Sequence, residues 1–163
     1  MFKRKIEEYL KEWKSDEHKM PLIIKGCRQC GKTFSVLDFA HKNYEHVVYI
    51  DFFQHPEYKS VFDGGLDIDL LCMTLSTLIP DAYFVSGKTC IIFDEIQECP
   101  RARTALKFFK TDGRYDVIGT GSLLGVSGYH TNASSEAPIP VGYETIIDMY
   151  PMDFEEWLWA NGI

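Results

Sequence analysis

The sequence predicts an α/β fold, a three-layer α/β/α sandwich built around a parallel sheet. The first observation is that short apolar runs, rich in β-branched and aromatic residues, alternate along the chain with segments of helical spacing. The second is a glycine-rich turn that joins the first apolar run directly to a helix. Because alternating strands and helices need crossover connections, they form parallel sheets with helices on the faces. The length of 163 residues and the hydrophobic share of 45% suit one domain with an ordinary core.

Five segments have the pattern of buried strands, because each is short, apolar and rich in β-branched or aromatic side chains. The first of them ends at Gly26 and the third at Asp94, so special residues mark their carboxyl ends. In chain order the predicted strands are residues 21–26, 46–52, 89–94, 115–120 and 141–149.

Five segments are predicted as helices. Near the N-terminus Ile6, Leu10 and Trp13 recur at spacings of three and four, which gives a helix one apolar face. Pro80 stops the third helix, and Asp153 can cap the start of the fifth. In chain order the predicted helices are residues 1–15, 33–41, 66–79, 100–110 and 153–159.

We expect one domain over residues 1–163. Residues 1–20 form the N-terminal helix and lead-in, and residues 21–150 form the core. Residues 151–163 begin a segment that leads to a further C-terminal region. Within the core, residues 127–137 are rich in glycine, serine, asparagine and threonine, which predicts a loop.

The composition argues against a membrane or secreted protein. No stretch reaches the ~18 to 20 apolar residues of a membrane-spanning helix, and no apolar signal region follows the basic start. We therefore expect a cytoplasmic protein without a membrane partner. In such a chain the five cysteines predict free thiols rather than disulfides. Cys27 and Cys30 form a CxxC pair, but no second pair completes a zinc site.

The net charge of −7 is carried by the last third of the chain. After Arg114 there is no lysine or arginine, whereas residues 115–163 contain seven acidic residues. Because nucleic-acid binding needs clustered basic side chains, this third cannot form a basic groove. If a nucleic acid is a partner, another segment or subunit has to supply the positive charge.

Residues 26–33 match the pattern GxxxxGK[ST] in full. Backbone N–H groups of such a loop can converge on a triphosphate where glycines leave room for it. The lysine of the pattern reaches the β- and γ-phosphates, the hydroxyl ligates Mg²⁺, and the helix that follows adds its positive dipole end. The predicted nucleotide-binding residues are Gly26, Cys27, Arg28, Gln29, Cys30, Gly31, Lys32, Thr33 and Phe34.

A second motif, Asp94-Glu95, ends the third predicted strand. Asp94 is placed to bind Mg²⁺ together with Thr33, and it joins the nucleotide-binding set. Glu95 can accept a proton from the attacking water, while Lys32 neutralises phosphate charge during catalysis. ATP is the predicted nucleotide, because the Asn-Lys-x-Asp motif of GTPases is absent. An Asp-Glu pair at the end of this strand indicates the group of P-loop proteins that have an added strand between the two motifs. Residues 47–52 are expected to form that strand.

These motifs resemble a bacterial and archaeal AAA+ ATPase family whose AAA domain precedes a C-terminal domain of unknown function. The resemblance extends from about residue 20 to the end of the chain. Arg-Gln before Gly-Lys-Thr and the run Asp-Glu-Ile-Gln are its most specific parts. The resembling stretches are residues 26–33, 93–100, 121–126 and 150–158. The resemblance implies an ATP-binding AAA domain in which Lys32, Thr33, Asp94 and Glu95 have the roles given above.

AAA+ proteins also place a polar residue after the fourth strand, near the γ-phosphate and the attacking water. Thr120 and Ser122 both fit this catalytic role in the run Thr-Gly-Ser. The alternative is an ordinary glycine–serine turn that leaves the strand.

An arginine that stabilises the transition-state charge is missing from the last third of the chain. Of the five earlier arginines, four are considered for this role, and surface charge is their ordinary role. We therefore expect slow hydrolysis by this chain alone, with a second copy supplying an arginine in trans. The effector is expected in a C-terminal domain outside this chain. The alternative is a nucleotide-dependent binding or switch module with negligible turnover. The four arginines are Arg28, Arg101, Arg103 and Arg114.

Cys27 and Cys30 occupy variable positions of the predicted phosphate loop. They are interpreted as small fillers. The alternative is a redox switch, in which a thiol beside Lys32 at a helix N-terminus has a lowered pKa and a bond between the two thiols distorts the loop.

Overall fold

The computed structural model describes residues 3–122 and 142–163. Its strands are β1 (Leu22–Gly26), β2 (His46–Asp51), β3 (Thr89–Asp94), β4 (Asp116–Ser122) and β5 (Thr145–Met149). They form one sheet with the order β2-β3-β4-β1-β5, and every neighbouring pair is parallel. Because the strands are parallel, the carboxyl ends of β1, β3 and β4 lie at the same edge, where α/β sheets bind their ligands.

Helices cover both faces of the sheet. They are α1 (Lys5–Ser15), α2 (Lys32–Asn43), α3 (Ile68–Leu78), α4 (Pro100–Asp112) and α5 (Phe154–Ala160). Two 3₁₀ helices add to them, at Pro56–Phe62 and Ile96–Glu98. Asp67 caps α3 by accepting a hydrogen bond from the Leu70 N–H at 2.9 Å, which stabilises the start of that helix.

Each face of the sheet has its own buried cluster. On one face α1 and α2 bury Leu10 and Phe39 against Leu22 of β1. On the other face α3 and α4 pack around Ile23 of β1 and Phe93 of β3. Successive strand residues alternate between the two clusters, because side chains along a strand point to opposite faces. Two helical layers and a sheet between them make the three-layer sandwich.

The predicted fold class is confirmed: the sheet is parallel, and helices flank it on both sides. All five predicted strands and all five predicted helices are present, with shifted bounds. The first helix begins at Lys5, β5 begins at Thr145, and β4 continues to Ser122. The two 3₁₀ helices were not predicted, because such short elements have no long period to detect. The predicted loop at residues 127–137 lies outside the described residues.

One topological expectation was wrong. The strand predicted at residues 47–52 does not separate the two motif strands, because β2 lies at the edge of the sheet beside β3. The strand between β1 and β3 is β4. It comes after both motifs in the chain, so chain order alone could not locate it.

Within the described residues, no helix is both long and apolar enough to cross a membrane.

Candidate functional site

Two glycines allow the loop between β1 and α2 to turn tightly: Gly26 by its close approach to β5, and Gly31 by its left-handed conformation. Gly26 has no room for a side chain, since a Cβ there would lie 2.3 Å from the Met149 carbonyl oxygen on neighbouring β5. Gly31 caps α2 in the left-handed region, with a φ of 90°. Gln29 also has a positive φ, of 64°, which is strained for a residue with a side chain. The close packing of Gly26 against β5 and the positive φ angles of Gln29 and Gly31 together produce the tight turn of the loop.

Lys32 lies inside this loop and is only 6% exposed. Its Nζ donates hydrogen bonds to the carbonyl oxygens of Gly26 at 3.1 Å and Cys27 at 2.6 Å. The loop therefore holds a buried ammonium group at the N-terminal end of α2. A cation and a helix N-terminus at one place form a binding site for an anion such as phosphate.

Asp94, at the carboxyl end of β3, is 4% exposed and accepts hydrogen bonds from several elements. Its Oδ2 accepts from the Thr33 hydroxyl at 2.9 Å and from the Tyr49 hydroxyl at 2.7 Å. Its Oδ1 accepts from the Thr120 hydroxyl and from the backbone N–H of Glu95. We call Asp94 with Thr33, Tyr49 and Thr120 the Asp94 cluster. Four donors fix the orientation of this carboxylate.

The Asp94 cluster fits Mg²⁺ by its chemistry. Thr33 gives its hydroxyl hydrogen to Asp94, which leaves the oxygen lone pairs free to ligate a cation. Hard oxygen donors are the ligands that Mg²⁺ prefers, and Mg²⁺ sites usually take one or two protein groups with water and substrate phosphates. The described residues contain no group of three or more His, Cys, Asp or Glu that could hold a metal.

Glu95 stands in a different setting from Asp94. Its backbone adopts φ 51° and ψ 48°, and it begins the 3₁₀ helix Ile96–Glu98. The side chain is partly exposed, and its Oε2 accepts a hydrogen bond from the Gln97 amide. Positive φ at a non-glycine residue is a strained conformation that clusters at functional sites. Here it turns the Glu95 side chain into the groove described next.

A groove of about 620 Å³ runs along the outside of the loop and the carboxyl end of β3. Phe34 and Phe53 border it with exposures of 64% and 67%, so apolar surface is open to solvent there. Buried Asp51 accepts N–H bonds from Phe53 and Gln54, which forms the turn that places both residues at the groove. The lining residues are Arg28, Gln29, Gly31, Lys32, Thr33, Phe34, Phe53, Gln54, Glu95 and Glu98.

The structure thus brings most of the predicted site residues together. Thr120 is fully buried, and its hydroxyl bonds Asp94, so the geometry gives it an orienting contact to that carboxylate. Ser122 is half-buried at the carboxyl end of β4, in register with Gly26 of β1. Of these two residues, Ser122 therefore lies nearer the loop surface.

The four arginines considered above differ in their contacts. Arg101 donates to the Phe62 carbonyl, Arg103 pairs with Glu144, and Arg114 pairs with Asp112 and Asp69. Arg28 is exposed at the tip of the loop and lines the groove. Arg28 is therefore the one of the four that is placed to meet a ligand in the groove.

The redox hypothesis for the loop cysteines loses part of its basis. Burial raises the pKa of the Cys30 thiol, and nearby Lys32 only partly opposes that effect. The expectation of a lowered pKa was therefore wrong for Cys30. Its Sγ lies 3.7 Å from the Met149 carbonyl oxygen, packed against β5. This environment agrees with the interpretation of Cys30 as a filler.

Three residues of the site were not predicted. Tyr49 on β2 reaches Asp94, and Gln97 bonds Glu95. Arg4, just before α1, donates to the Cys30 carbonyl at 3.2 Å and pairs with buried Glu156 at 3.2 Å, which ties the loop to both ends of the described chain. The hydroxyl of Tyr49 on β2 gave no distinctive signal, because His46 and Asp51 on the same strand are polar too. Long-range contacts such as those of Arg4 leave no local pattern.

Comparison with known families gives one match. A family model described as an AAA domain matches residues 18–158, which include β1 through most of α5. No curated protein matches the chain.

Proposed function

The chain belongs to the AAA domain family, and from this premise we propose that it binds ATP–Mg²⁺ and hydrolyses ATP to drive an effector outside this chain. The observation that carries the proposal is the bond of 2.9 Å between the Thr33 hydroxyl and Asp94. Thr33 follows the buried Lys32, and both line one groove with Glu95, which supports the proposal that the Thr33 hydroxyl binds Mg²⁺ there. In this proposal different groups of one site have different tasks: Lys32 binds phosphate, Thr33 binds the metal, and Glu95 accepts the proton.

In this proposal the loop binds the triphosphate through its backbone N–H groups and Lys32. An incoming phosphate replaces the two carbonyl oxygens that now accept from Lys32. Thr33 and Asp94 hold Mg²⁺, which neutralises charge on the phosphates when it is bound. Glu95 accepts the proton of the attacking water, and Arg28 adds positive charge at the outer side of the groove.

The second candidate function is a switch that binds ATP with negligible turnover. It is favoured by the arginines, because three of the four are engaged elsewhere in the fold. Turnover in the first proposal is therefore slow in this chain and rises when a second copy supplies an arginine in trans. Phosphate release measured at several protein concentrations separates the two functions, since only the ATPase accelerates on self-association.

The wider context belongs to the same proposal. A single AAA domain over residues 1–163 acts on a C-terminal effector in cis, and the cytoplasm suits its five free thiols. A nucleic-acid target requires basic surface from another segment, because residues 115–163 contain no lysine or arginine. The polar groups at the carboxyl end of β4, Thr120 and Ser122, act on Asp94 and near the γ-phosphate, respectively.

The binding half of the proposal is tested with a pair of lysine variants. Lys32→Ala is expected to weaken ATP affinity by about 100-fold, since a charge-assisted bond is worth about 3 kcal/mol. Lys25→Ala is the matched control, because Lys25 lies on β1 next to the loop but pairs with Asp148 instead. Affinity is measured by titration with a fluorescent ATP analogue. Equal affinities of Lys32→Ala and the wild type would refute the assignment of the loop.

A further inference from the structure

The short turn after β3 is rigidly anchored. Ile96 is fully buried, and a Cβ at Gly119 on β4 would lie 3.1 Å from the Ile96 Cδ1. The backbone closes the turn through Glu98 N–H to Glu95 C=O at 2.9 Å and Cys99 N–H to Ile96 C=O at 3.0 Å. With Ile96 buried against β4, the residues on either side of it, Glu95 and Gln97, are held close to each other.

The side chains of Gln97 and Glu95 are joined by a hydrogen bond. The Gln97 Nε2 donates to Oε2 of Glu95, and no other hydrogen bond from the described residues reaches this carboxylate side chain. Glu95 lines the groove together with Arg28, Lys32 and Glu98. One carboxylate oxygen is therefore held by a neutral amide, while the other has no partner among the described residues.

The Gln97 amide is oriented by Glu95 and not by a second contact. Its own Oε1 is buried and has no hydrogen-bond partner within the described part of the chain. Turning the amide over would put this oxygen against the Glu95 carboxylate, where two acceptors repel each other. Among the described residues, the polar contact of the Gln97 side chain is with Glu95, so the turn itself does not require a glutamine at this position.

We propose that Gln97 is a positioning residue, which holds the Glu95 carboxylate so that its second oxygen faces the water that attacks ATP. The inference rests on the proposed function, in which Glu95 is the proton acceptor. A neutral donor suits this purpose, because it restricts the carboxylate without supplying a counter-charge that would make it a weaker base. Glutamine therefore fits the position better than lysine or arginine.

The experiment compares Gln97→Met with Gln97→Glu. Methionine keeps the length of the side chain and removes the donor, whereas glutamate keeps the shape and places a second carboxylate against Glu95. If Gln97 positions Glu95, kcat falls about 10-fold in Gln97→Met and further in Gln97→Glu, with ATP affinity unchanged in both. If Gln97 has a purely structural role, kcat should fall less in Gln97→Glu than in Gln97→Met, because glutamate is closer in shape to glutamine than methionine is. Thermal melting confirms that both variants fold.

A double variant separates this inference from the proposed function. In the Glu95→Gln background, Gln97→Met is expected to cause no further loss of turnover, because it acts only through Glu95. Absence of turnover in the wild type would refute the proposed hydrolysis itself. Wild-type turnover in Glu95→Gln would leave hydrolysis standing but refute Glu95 as the base, and with it the premise of this inference. If Glu95→Gln loses turnover while Gln97→Met keeps the wild-type kcat, the inference alone is overturned. Equal further losses in both backgrounds would also overturn it.

Discussion

Asp94 and Glu95 are consecutive residues whose carboxylates lie in opposite surroundings. Asp94 is buried and accepts four hydrogen bonds, which come from β2, β4, α2 and its own backbone neighbour. Glu95 is partly exposed, and among the described residues its carboxylate accepts a hydrogen bond from one local amide, that of Gln97. A fixed carboxylate suits holding a metal ion, and a carboxylate with one free oxygen suits accepting a proton. In the proposed function, the carboxyl end of β3 thus carries two roles in two adjacent residues.

Asp94 and Glu95 also differ in how far along the sequence their contacts reach. The other residues of the Asp94 cluster are 26 to 61 positions away from Asp94 in the sequence, so the cluster depends on the assembled sheet. The turn at Glu95 is made within four residues, from Glu95 to Glu98. We therefore expect substitutions in the Asp94 cluster to change both stability and Mg²⁺ dependence. Substitutions of the Glu95 and Gln97 side chains in the turn should change turnover alone.

The largest effect is expected from Asp94→Asn. An amide has one acceptor oxygen in place of two, so donors of the Asp94 cluster lose their partner, at a cost of about 2 kcal/mol in the free energy of unfolding. Loss of the charge that holds Mg²⁺ should lower turnover by about 100-fold. Urea unfolding and Mg²⁺ titration of phosphate release measure the two effects. Wild-type values in both would contradict the role given to the cluster.

An intermediate effect is expected from Tyr49→Phe, with Tyr44→Phe as its matched control. Each tyrosine donates to an aspartate at 2.7 Å, Tyr49 to Asp94 and Tyr44 to Asp116 away from the groove. Both variants should lose about 1.5 kcal/mol of stability, because each removes a hydrogen bond to a charged group. Only Tyr49→Phe should raise the Mg²⁺ concentration needed for half-maximal turnover, by about 10-fold. Equal Mg²⁺ curves for the two variants would remove Tyr49 from the metal site.

The same two tyrosines predict a loss of stability in alkali. Burial, above all, raises the pKa of Tyr44 and of Tyr49, and the neighbouring aspartates add to the effect. Above the ordinary tyrosine pKa of about 10 the unfolded chain loses these protons while the folded chain keeps them. Stability is therefore complete below that pH and falls as the pH rises past it. The fall in melting temperature should be less steep in Tyr44→Phe, and an unchanged slope would disprove the linkage.

The smallest effect is expected at the loop cysteines. Since burial raises the pKa of Cys30, little thiolate is present near neutral pH, and alkylation of Cys30 should be slower than that of free cysteine. Mild oxidant should leave ATP affinity unchanged in the wild type and in Cys27→Ala. Mass spectrometry of the alkylated thiols and nucleotide titration are the measurements. Reversible loss of binding in the wild type only would restore the redox switch.

The parts of the site that could be predicted from sequence are those with an obligatory local pattern. Gly26, Gly31 and Lys32 are required by a loop that wraps phosphate, and Asp94 follows a strand that is recognisably apolar. The fold class followed in the same way, from alternating strand and helix periods. For these features neighbouring residues carry the physical requirement, so it is visible in the sequence.

The missed residues depend on contacts that no short window contains. Tyr49 reaches Asp94 because β2 pairs with β3 in one register, Val48 opposite Ile91 and Asp51 opposite Asp94. A shift of one residue would turn Tyr49 to the other face. Arg4 contacts the Tyr150 carbonyl, 146 positions away. Likewise, the position of β4 between the motif strands is a property of the whole sheet.

The central claim is that Glu95 performs the chemistry while the loop and the Asp94 cluster bind ATP–Mg²⁺. The most direct measurement follows ATP binding and phosphate release in one experiment, with protein in excess over nucleotide, for the wild type and Glu95→Gln. We predict equal affinities and a rate of phosphate release about 100-fold lower in Glu95→Gln. Equal rates of release in the two proteins, or loss of binding in Glu95→Gln, would contradict the claim.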